Sequence, residues 1–311
     1  MIKRSLYFGN PAYLSLKSGQ LVIKRPGSDG DMPDFDNPKT FTETVKTIPI
    51  EDIGVVVLDN QQITATEGLL EALLENNCAV VTCDCRHMPV GLLLPLYGNT
   101  IQTERYSEQI NASLPLKKQL WQQTVQSKIK NQAAVLKYST GFEAKNMLAW
   151  AETVRSGDTG NLEGRAAAYY WKTVFVENPK FVRDGNGVVN TMLNYGYAIL
   201  RAIVARALVG AGLLPTLGIH HHNRYDAYCL ADDIMEPYRP YVDKQVIDII
   251  GSGIPEEFDT NIKKILLELP VKEVCLGGTR RPLMIAVSQT VSSLQKCFSG
   301  QLRKLTFPEM E

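Results

Sequence analysis

Cysteine is scarce in this chain. Only six cysteines occur among 311 residues, and they are scattered from position 78 to position 297. Such a distribution does not fit the disulfide framework of a small secreted protein. Cys83 and Cys85 flank Asp84, but no second cysteine pair follows at the spacing of a zinc site. We therefore expect reduced thiols in the folded protein.

The sequence also lacks an uninterrupted apolar run of the length that spans a membrane. Its most apolar candidate, residues 188–214, contains two asparagines and two arginines, which indicates a helix buried inside the protein. No signal-like segment opens the chain, because Lys3 and Arg4 lead directly into a strand-like run. We therefore expect a cytoplasmic protein with no membrane partner.

There is no excess of charge of either sign. The 33 Lys and Arg residues equal the 33 Asp and Glu residues, which argues against a nucleic-acid binder if taken alone. The first hundred residues hold eight basic and twelve acidic side chains, whereas the remainder holds 25 and 21. Any anionic ligand is therefore expected on the second part of the chain.

The first hundred residues are predicted to be rich in β-structure. Two short runs, residues 13–16 and 21–23, flank the turn signal Ser18-Gly19 and predict a hairpin. Residues 53–58, 79–82 and 90–94 predict three further strands, and the segment from 25 to about 41 predicts an irregular loop. The run from Thr64 to Glu67 resembles a capping box that opens a leucine-rich helix.

From about residue 101 onward the apolar spacing becomes helical. Residues 116–136 predict an amphipathic helix with its lysines on the solvent side, and residues 188–209 predict a central apolar helix. The other helices are predicted at residues 141–154, from 161 onward, 247–253, 255–269 and 281–298. The fold class is therefore α+β with two domains: a small β-rich domain at 1–97 and a larger all-α domain at 98–311.

Potential metal ligands are concentrated in residues 218–240. Asp232 and Asp233 stand four and three residues before Glu236, so on a helix either acid could share a face with Glu236 and bind a hard divalent cation. The alternative is purely structural. With Asp233 at the N-cap and Glu236 at the third helical position, the same residues form an acidic first turn.

Three consecutive histidines, 220–222, precede these acids. Successive side chains on a helix diverge by roughly 100 degrees, so the three cannot all reach one metal ion. Either one of them is a ligand or the run is simply exposed and polar. Glu163 lies in a segment that starts a helix after a Gly/Asn turn, and taken alone it is explained by the favourable interaction of an acid with the helix dipole.

Taken together, three segments resemble a known family. They are Asn161-x-Glu163-Gly164, Gly218-x-x-His221-x-Asn223 and the run from Asp232 to Asp243, which reads DDIMEPYRPYVD. They are similar to the signature segments of the CRISPR-associated adaptation integrase, in the version that accompanies single-effector, RNA-guided nuclease (type II) systems. The domain layout is similar as well, over nearly the whole chain.

This resemblance implies a catalytic metal site made of Glu163, His221 and Glu236 that holds Mg²⁺ or Mn²⁺, with Asp233 as an additional acid in or beside it. It also implies insertion of protospacer duplexes into a CRISPR array, by attack of a DNA 3′-hydroxyl on a phosphodiester at the leader–repeat junction. The implied partners are double-stranded DNA, a second copy of the chain in a homodimer, a small dimeric adaptation protein in a heterohexamer, and the type II effector nuclease. Candidate DNA contacts are Arg165, His220, Asn223, Arg224 and Arg239, with Lys117, Lys118, Lys172, Arg280 and Arg281 as further phosphate contacts.

Two other functions remain open at this point. One is a general metal-dependent DNA nuclease without array specificity, because the same metal can activate water in place of a 3′-hydroxyl. The other is a non-catalytic DNA-binding scaffold whose acidic cluster only caps a helix.

Overall fold

The structure, a computed structural model, describes residues 3–25, 43–176, 178 and 181–310. The chain divides into two units, Met1–Leu96 and Tyr97–Glu311, one residue from the boundary that the sequence predicts. Strands dominate the first unit and helices the second, so the α+β class is confirmed. The predicted loop at 25–41 lies, apart from Arg25, outside the described residues.

Among its described residues the first unit contains two four-stranded sheets and one α-helix. Its strands are β1 (Arg4–Phe8), β2 (Ala12–Lys17), β3 (Gln20–Arg25), β4 (Glu43–Pro49), β5 (Ile53–Leu58), β6 (Ile63–Ala65), β7 (Ala79–Cys83) and β8 (Pro89–Leu93). In one sheet the order is β1-β5-β7-β8, with β1, β5 and β7 parallel and β8 antiparallel. In the other the order is β4-β3-β2-β6, where β6 alone pairs in parallel.

The hydrophobic core of this unit draws side chains from both sheets and from α1 (Glu67–Glu75). The core includes Leu14 from β2, Val56 from β5 and Leu73 from α1, each of which is at most 2% exposed. The predicted hairpin and the strands near 53–58, 79–82 and 90–94 are confirmed. The predicted capping box is wrong, because residues 63–65 form β6 and Thr66 is the N-cap residue of α1.

The second unit contains nine helices among its described residues. They are α2 (Gln102–Ile110), α3 (Leu114–Thr140), α4 (Lys145–Thr153), α5 (Leu162–Thr173), α6 (Val188–Gly210), α7 (Cys229–Met235), α8 (Arg239–Ile250), α9 (Thr260–Leu266) and α10 (Leu283–Phe298). The predicted helix at 247–253 is therefore the end of a longer helix, α8, which starts two residues after Pro237.

The second unit is not all-α, which corrects the sequence prediction. An antiparallel hairpin joins β9 (Glu273–Leu276) to β10 (Thr279–Pro282). Gly277 and Gly278 form its turn with positive φ angles of 58° and 74°. Such a two-residue glycine turn between β-forming runs is a recognised hairpin signal, and it outweighs the helical pattern of the flanking segments.

The apolar helix α6 forms the centre of the second unit. It packs against α7, α8, α9 and α10, and 17 of its 23 residues are buried. By length and composition it could cross a membrane, yet most of its apolar length is covered by the protein itself. The prediction of a buried helix is therefore confirmed. The long helix α3 packs against α4, α5, α7 and α8. Of these helices, α5 carries Glu163, and α7 leads directly into the turn that carries Glu236.

A close approach between α6 and α8 depends on Gly196. A Cβ atom at this position would lie 2.4 Å from Cγ1 of Val242, which is fully buried. Gly196→Ala should therefore lower the free energy of unfolding, since overpacking costs about 1–3 kcal/mol and exceeds the gain of about 1 kcal/mol in helix propensity. The measurement is urea unfolding.

The matched control for this substitution is Gly68→Ala in α1, where no heavy atom lies within 4 Å of the added Cβ. We expect it to be stabilising by up to about 1 kcal/mol. An equal gain in stability for both variants would contradict the close packing of α6 on α8.

Candidate functional site

Glu163 lies in the first turn of α5, and Asp158 fixes the start of that helix. The Asp158 carboxylate accepts hydrogen bonds from the backbone N–H groups of Leu162 and Glu163, each at 2.9 Å. These two donors would otherwise have no partner at the helix start. The capping bonds therefore hold the Glu163 backbone in place, and its side chain lies on the same face of α5 as the buried Ala166 and Tyr170.

The carboxylates of Glu163 and Glu236 both contact one cation, the ammonium of Lys128 on α3. Lys128 Nζ donates to Glu163 Oε1 and lies 2.6 Å from Glu236 Oε2. The Lys128 side chain is 9% exposed and that of Glu236 is 8% exposed. Burial opposes the charged form of Lys128, but the carboxylates of Glu236 and Glu163 outweigh it and raise the pKa of the ammonium above its usual value.

Glu236 is held from its other side by Arg239, whose Nε lies 2.9 Å from Glu236 Oε1. Burial would raise the pKa of the Glu236 carboxyl, but Arg239 and Lys128 outweigh it and hold that pKa below its usual value. The backbone is fixed as well, since Asn131 on α3 donates to the carbonyl of Pro237 at 2.8 Å. Glu236 is therefore an ionised, buried carboxylate in a fixed position.

The same face of α3 also contacts the histidines. Trp121 stands seven residues before Lys128, so the two side chains share one side of the helix. Its ring stacks in parallel on His220, with centroids 4.1 Å apart, and meets His221 edge-on at 5.5 Å. Burial is the main reason that the pKa of His220 lies below its usual value. One helix face thus contacts all three residues predicted as metal ligands: Lys128 contacts the two glutamates, and Trp121, two turns away, contacts His221.

Asp233 orients His221. One carboxylate oxygen, Oδ1, lies 2.5 Å from His221 Nδ1, and the other accepts the backbone N–H groups of Ile219 and His220 at 2.7 and 2.9 Å. The hydrogen bond between the Asp233 carboxylate and the His221 ring is the largest cause of the raised pKa of His221. The negative charges of Glu236 and Glu163 raise this pKa further through space. With Nδ1 engaged, Nε2 is the nitrogen left to bind a metal ion.

Gly218 makes this arrangement possible. A Cβ atom there would lie 2.4 Å from the His221 carbonyl oxygen and 2.8 Å from Asp233 Oδ2. The spacing Gly218-x-x-His221 in the sequence therefore reflects a tight turn that folds over the Asp233 carboxylate.

The structural alternative, in which Asp233 is a helix N-cap, is wrong. Helix α7 begins at Cys229 after the N-cap residue Tyr228, so Asp232 and Asp233 lie inside it. Asp232 forms a bidentate ion pair with Arg201, with distances of 2.6 and 2.7 Å. Glu236 lies beyond the end of α7, in a short 3₁₀ turn. The three acids therefore have three different partners.

The chemistry of the site fits a divalent cation. Two carboxylates and one imidazole form a donor set that Mg²⁺ or Mn²⁺ accepts. Glu236 Oε2 is buried and makes no well-aligned hydrogen bond, although it is in charge contact with the Lys128 ammonium. Within the described part of the chain, no three His, Cys, Asp or Glu side chains form a complete metal-binding group as they stand. Because the Lys128 ammonium contacts Glu163 Oε1 and Glu236 Oε2, a metal ion on these two oxygens would have to displace it.

The candidate DNA contacts are divided between a cleft and the outside of α5. His221 lines a cleft of about 440 Å³ together with Lys117, Asn223 and Arg224. Arg165 is exposed, and its guanidinium lies 4.6 Å from the centre of the Trp150 ring. Arg239, by contrast, has a side chain only 26% exposed that is paired with Glu236, so it positions that acid.

Lys118 lies on α3, Lys172 on α5, and Arg280 and Arg281 lie on β10. Arg281 donates to Gln289 on α10.

A buried carboxylate, Asp243, lies behind the site. It accepts a hydrogen bond from Tyr170 at 2.8 Å and a second from Tyr197, whose ring also packs 4.8 Å from the Arg239 guanidinium. Burial raises the pKa of the Asp243 carboxyl to about 6, although the hydrogen bonds from Tyr197 and Tyr170 oppose the shift. This network fixes Arg239, and through it Glu236.

Sequence reasoning missed two residues that shape the site, Lys128 and Asp158. The lysines of α3 were predicted on the solvent side, which is wrong for Lys128 because it follows Trp121 and Val125 at helical spacing. A helical-wheel count would have placed it on the buried face. Asp158 carried no signal beyond its position before a helix start.

Known proteins are similar to this chain in sequence and in fold. The family described as CRISPR associated protein Cas1 matches residues 6–276. The CRISPR-associated endonuclease Cas1 of Neisseria meningitidis serogroup C (strain 8013) is 37% identical over 313 residues, which cover 100% of this chain and 97% of that relative.

Two solved structures share the fold at 21% sequence identity. A casposase bound to integration product has a TM-score of 0.73 and covers 98% of this chain and 92% of its own. A chain of a Cas6-RT-Cas1–Cas2 complex has a TM-score of 0.72 and covers all of this chain but 36% of its own.

The raised pKa of Asp243 predicts a dependence of stability on pH. Between about pH 4 and 6 the native carboxyl keeps its proton while the unfolded one loses it, so stability falls as pH rises. A pKa raised from 3.8 to about 6 corresponds to a loss on the order of 3 kcal/mol at neutral pH. Asp243→Asn cannot ionise and should lack this loss.

Urea unfolding of both proteins across this pH range measures the effect. The free energy of unfolding of Asp243→Asn, relative to the wild type, should increase with pH. A difference that stays constant with pH would show that Asp243 ionises normally.

Replacing Asp233 with Asn should lower the pKa of His221, because the amide offers a donor where the carboxylate accepts. Losing hydrogen bonds to a charged acceptor should also cost on the order of 2 kcal/mol of stability. The imidazole pKa is measured by NMR titration. Asp248→Asn, at an exposed position on α8, is the control and should leave the pKa of His221 unchanged. An unchanged His221 pKa in Asp233→Asn would refute the positioning role.

Proposed function

Because this chain belongs to the Cas1 family of CRISPR-associated proteins, we propose that it is a metal-dependent integrase that inserts short DNA duplexes into a CRISPR array. The observation that carries the proposal is the convergence of Glu163 and Glu236 on one buried cation, Lys128, while His221 contacts Trp121 on the same face of α3. The reaction is the attack of a protospacer 3′-hydroxyl on a phosphodiester at the leader–repeat junction.

Glu163, Glu236 and Nε2 of His221 are the proposed metal ligands. Bound Mg²⁺ or Mn²⁺ supplies Lewis acidity, which lowers the pKa of the attacking hydroxyl and neutralises charge on the phosphoryl oxygens. The imidazole favours Mn²⁺ somewhat more than a site made only of oxygen would.

The other residues of the site hold these three in place. Asp158 fixes the backbone of Glu163, Arg239 holds one oxygen of Glu236, and Asp233 fixes the ring of His221. Preorganisation of this kind matters because a small misplacement of a reacting group costs a large factor in rate.

The cleft beside His221 is the proposed site of the DNA strand. Lys117 and Arg224 supply positive charge there, and Asn223 supplies a polar group. Phosphate contacts of this kind position DNA without reading its sequence. Arg165, with its exposed guanidinium over the Trp150 ring, is a further phosphate contact.

The proposed partners are double-stranded DNA, a second copy of the chain, and a small dimeric adaptation protein in a heterohexamer. Two structural neighbours support this, since one is a casposase bound to integration product and the other is part of a complex with Cas2. The type II effector nuclease is proposed as a further partner, and the cytoplasm as the location.

A general DNA nuclease is the second candidate, because the curated relatives are named endonucleases. Branched DNA distinguishes the two. An integrase resolves an integration intermediate by rejoining the strands, whereas a nuclease only cuts it. The scaffold hypothesis loses its structural basis, because Asp233 does not cap α7.

Alanine at any ligand position should abolish strand transfer. Loss of a residue that supports a metal ligand typically costs 10–100-fold, so loss of a ligand itself should cost at least about a hundredfold. The assay follows the joining of a labelled duplex to a plasmid that carries the leader and repeat, with Mg²⁺ and Mn²⁺ compared. The variants are Glu163→Ala, His221→Ala and Glu236→Ala.

The control is Glu152→Ala, an exposed position on α4, which should join DNA at the wild-type rate. Circular dichroism establishes that each variant keeps its fold. If a ligand variant joins DNA as fast as the wild type, that residue is not a ligand.

A further inference from the structure

We propose that the ammonium of Lys128 is a tethered cation that holds Glu163 and Glu236 together until a divalent ion binds, and that it competes with that ion for the same carboxylate oxygens. The inference rests on the proposed metal site. It adds a residue that is neither a ligand nor a DNA contact, and it predicts how tightly the site holds its metal.

The first support is the position of the Lys128 side chain. It leaves α3 on the buried side, is 9% exposed, and ends between the two acids. A lysine with a free choice of rotamer exposes its ammonium to water, and a buried one is found almost always with charged partners. Here both partners are residues proposed as metal ligands.

The second support is the state of Glu236. Its Oε1 lies 2.9 Å from Arg239 Nε and its Oε2 lies 2.6 Å from the Lys128 ammonium, and neither Arg239 Nε nor Glu236 Oε2 makes a well-aligned hydrogen bond. Charge, more than directional bonding, therefore holds the carboxylate, and Oε2 is the oxygen that faces Lys128. An oxygen bound in this way is available to a cation of higher charge.

The third support is the balance of charge. Lys128 and Arg239 together neutralise Glu163 and Glu236, so the site is electrically satisfied without metal. A divalent ion on the same oxygens would meet the ammonium at contact distance, where two cations repel strongly in a poorly hydrated space. Metal binding therefore requires the Lys128 side chain to move away.

It follows that Lys128 weakens metal binding and stabilises the metal-free protein. The acids of a structural metal site repel one another when the metal is absent, so the fold of such a site depends on its ion. In this chain the Lys128 ammonium offsets the repulsion between Glu163 and Glu236, so the fold of the site does not depend on a metal ion. The metal can then exchange without unfolding the second unit.

The test is the affinity of the full-length protein for Mn²⁺, measured from the EPR signal of free Mn²⁺ in a titration. Lys128→Met should lower the Kd for Mn²⁺ by at least about tenfold, because a unit charge a few ångströms from the ion is worth more than that. Lys128→Arg keeps the positive charge and should stay near the wild-type Kd. Lys130→Met, exposed and two residues along α3, is the matched control and should not change it.

The melting temperature provides a second readout. Without metal, Lys128→Met should melt several degrees below the wild type, and saturating Mn²⁺ should recover most of this difference. Lys128→Gln retains a polar side chain and serves in both measurements if the methionine variant does not fold. A purely structural lysine would lower stability without tightening Mn²⁺ binding.

The outcomes separate this inference from the proposed function. Wild-type protein that binds Mn²⁺, with an equal or weaker affinity in both neutral Lys128 variants, would overturn the role of Lys128 and leave the metal site standing. Wild-type protein that binds no Mn²⁺ would overturn the metal site itself, and the inference with it.

Discussion

Two ionised carboxylates that lie side by side repel each other strongly unless a cation lies between them. In this protein the acids are Glu163 and Glu236, and the cation is the ammonium of Lys128. Removing one member of a buried ion cluster leaves an uncompensated charge, which costs several kcal/mol. The positions of α3, α5 and the turn after α7 are therefore linked, because each supplies one charged group to the same place.

The rest of the site keeps these charges in place. Asp158 caps α5 beneath Glu163, and Asn131 ties the Glu236 turn to α3. Arg239 connects Glu236 to the buried Asp243 network through the ring of Tyr197. The histidines contact α3 through Trp121, so His221 reaches the site from the opposite end of the same helix face. A metal ion and a DNA 3′ end would meet groups that are already oriented.

Much of the fold could be predicted from local pattern, and the failures have identifiable causes. The strand at 53–58 and the helix from 188 onward follow from long apolar runs with clear ends. The alternative in which Asp233 caps a helix fails because a capping residue depends on where its helix starts, and α7 starts at Cys229, four residues before Asp233. Asp233 instead contacts the His221 ring and the backbone N–H groups of residues 219 and 220, and no local pattern reveals contacts of that kind.

The ligands themselves came from resemblance to a family, since spacing alone left capping and metal binding both open. Lys128 was missed because lysines are ordinarily solvated, and only the fold shows that two acids surround this one. The hairpin at 273–282 was not predicted, because the segments on both sides favour helices. The pair Gly277-Gly278 is nevertheless a recognised hairpin-turn signal.

The central claim is that Glu163, His221 and Glu236 bind one metal ion. It is tested most directly by anomalous X-ray scattering from crystals of the protein grown with Mn²⁺. We expect one anomalous peak at coordination distance from all three side chains, with the Lys128 ammonium no longer in contact with the two carboxylates. A peak elsewhere, or an ammonium still between Glu163 and Glu236 at full Mn²⁺ occupancy, would contradict it.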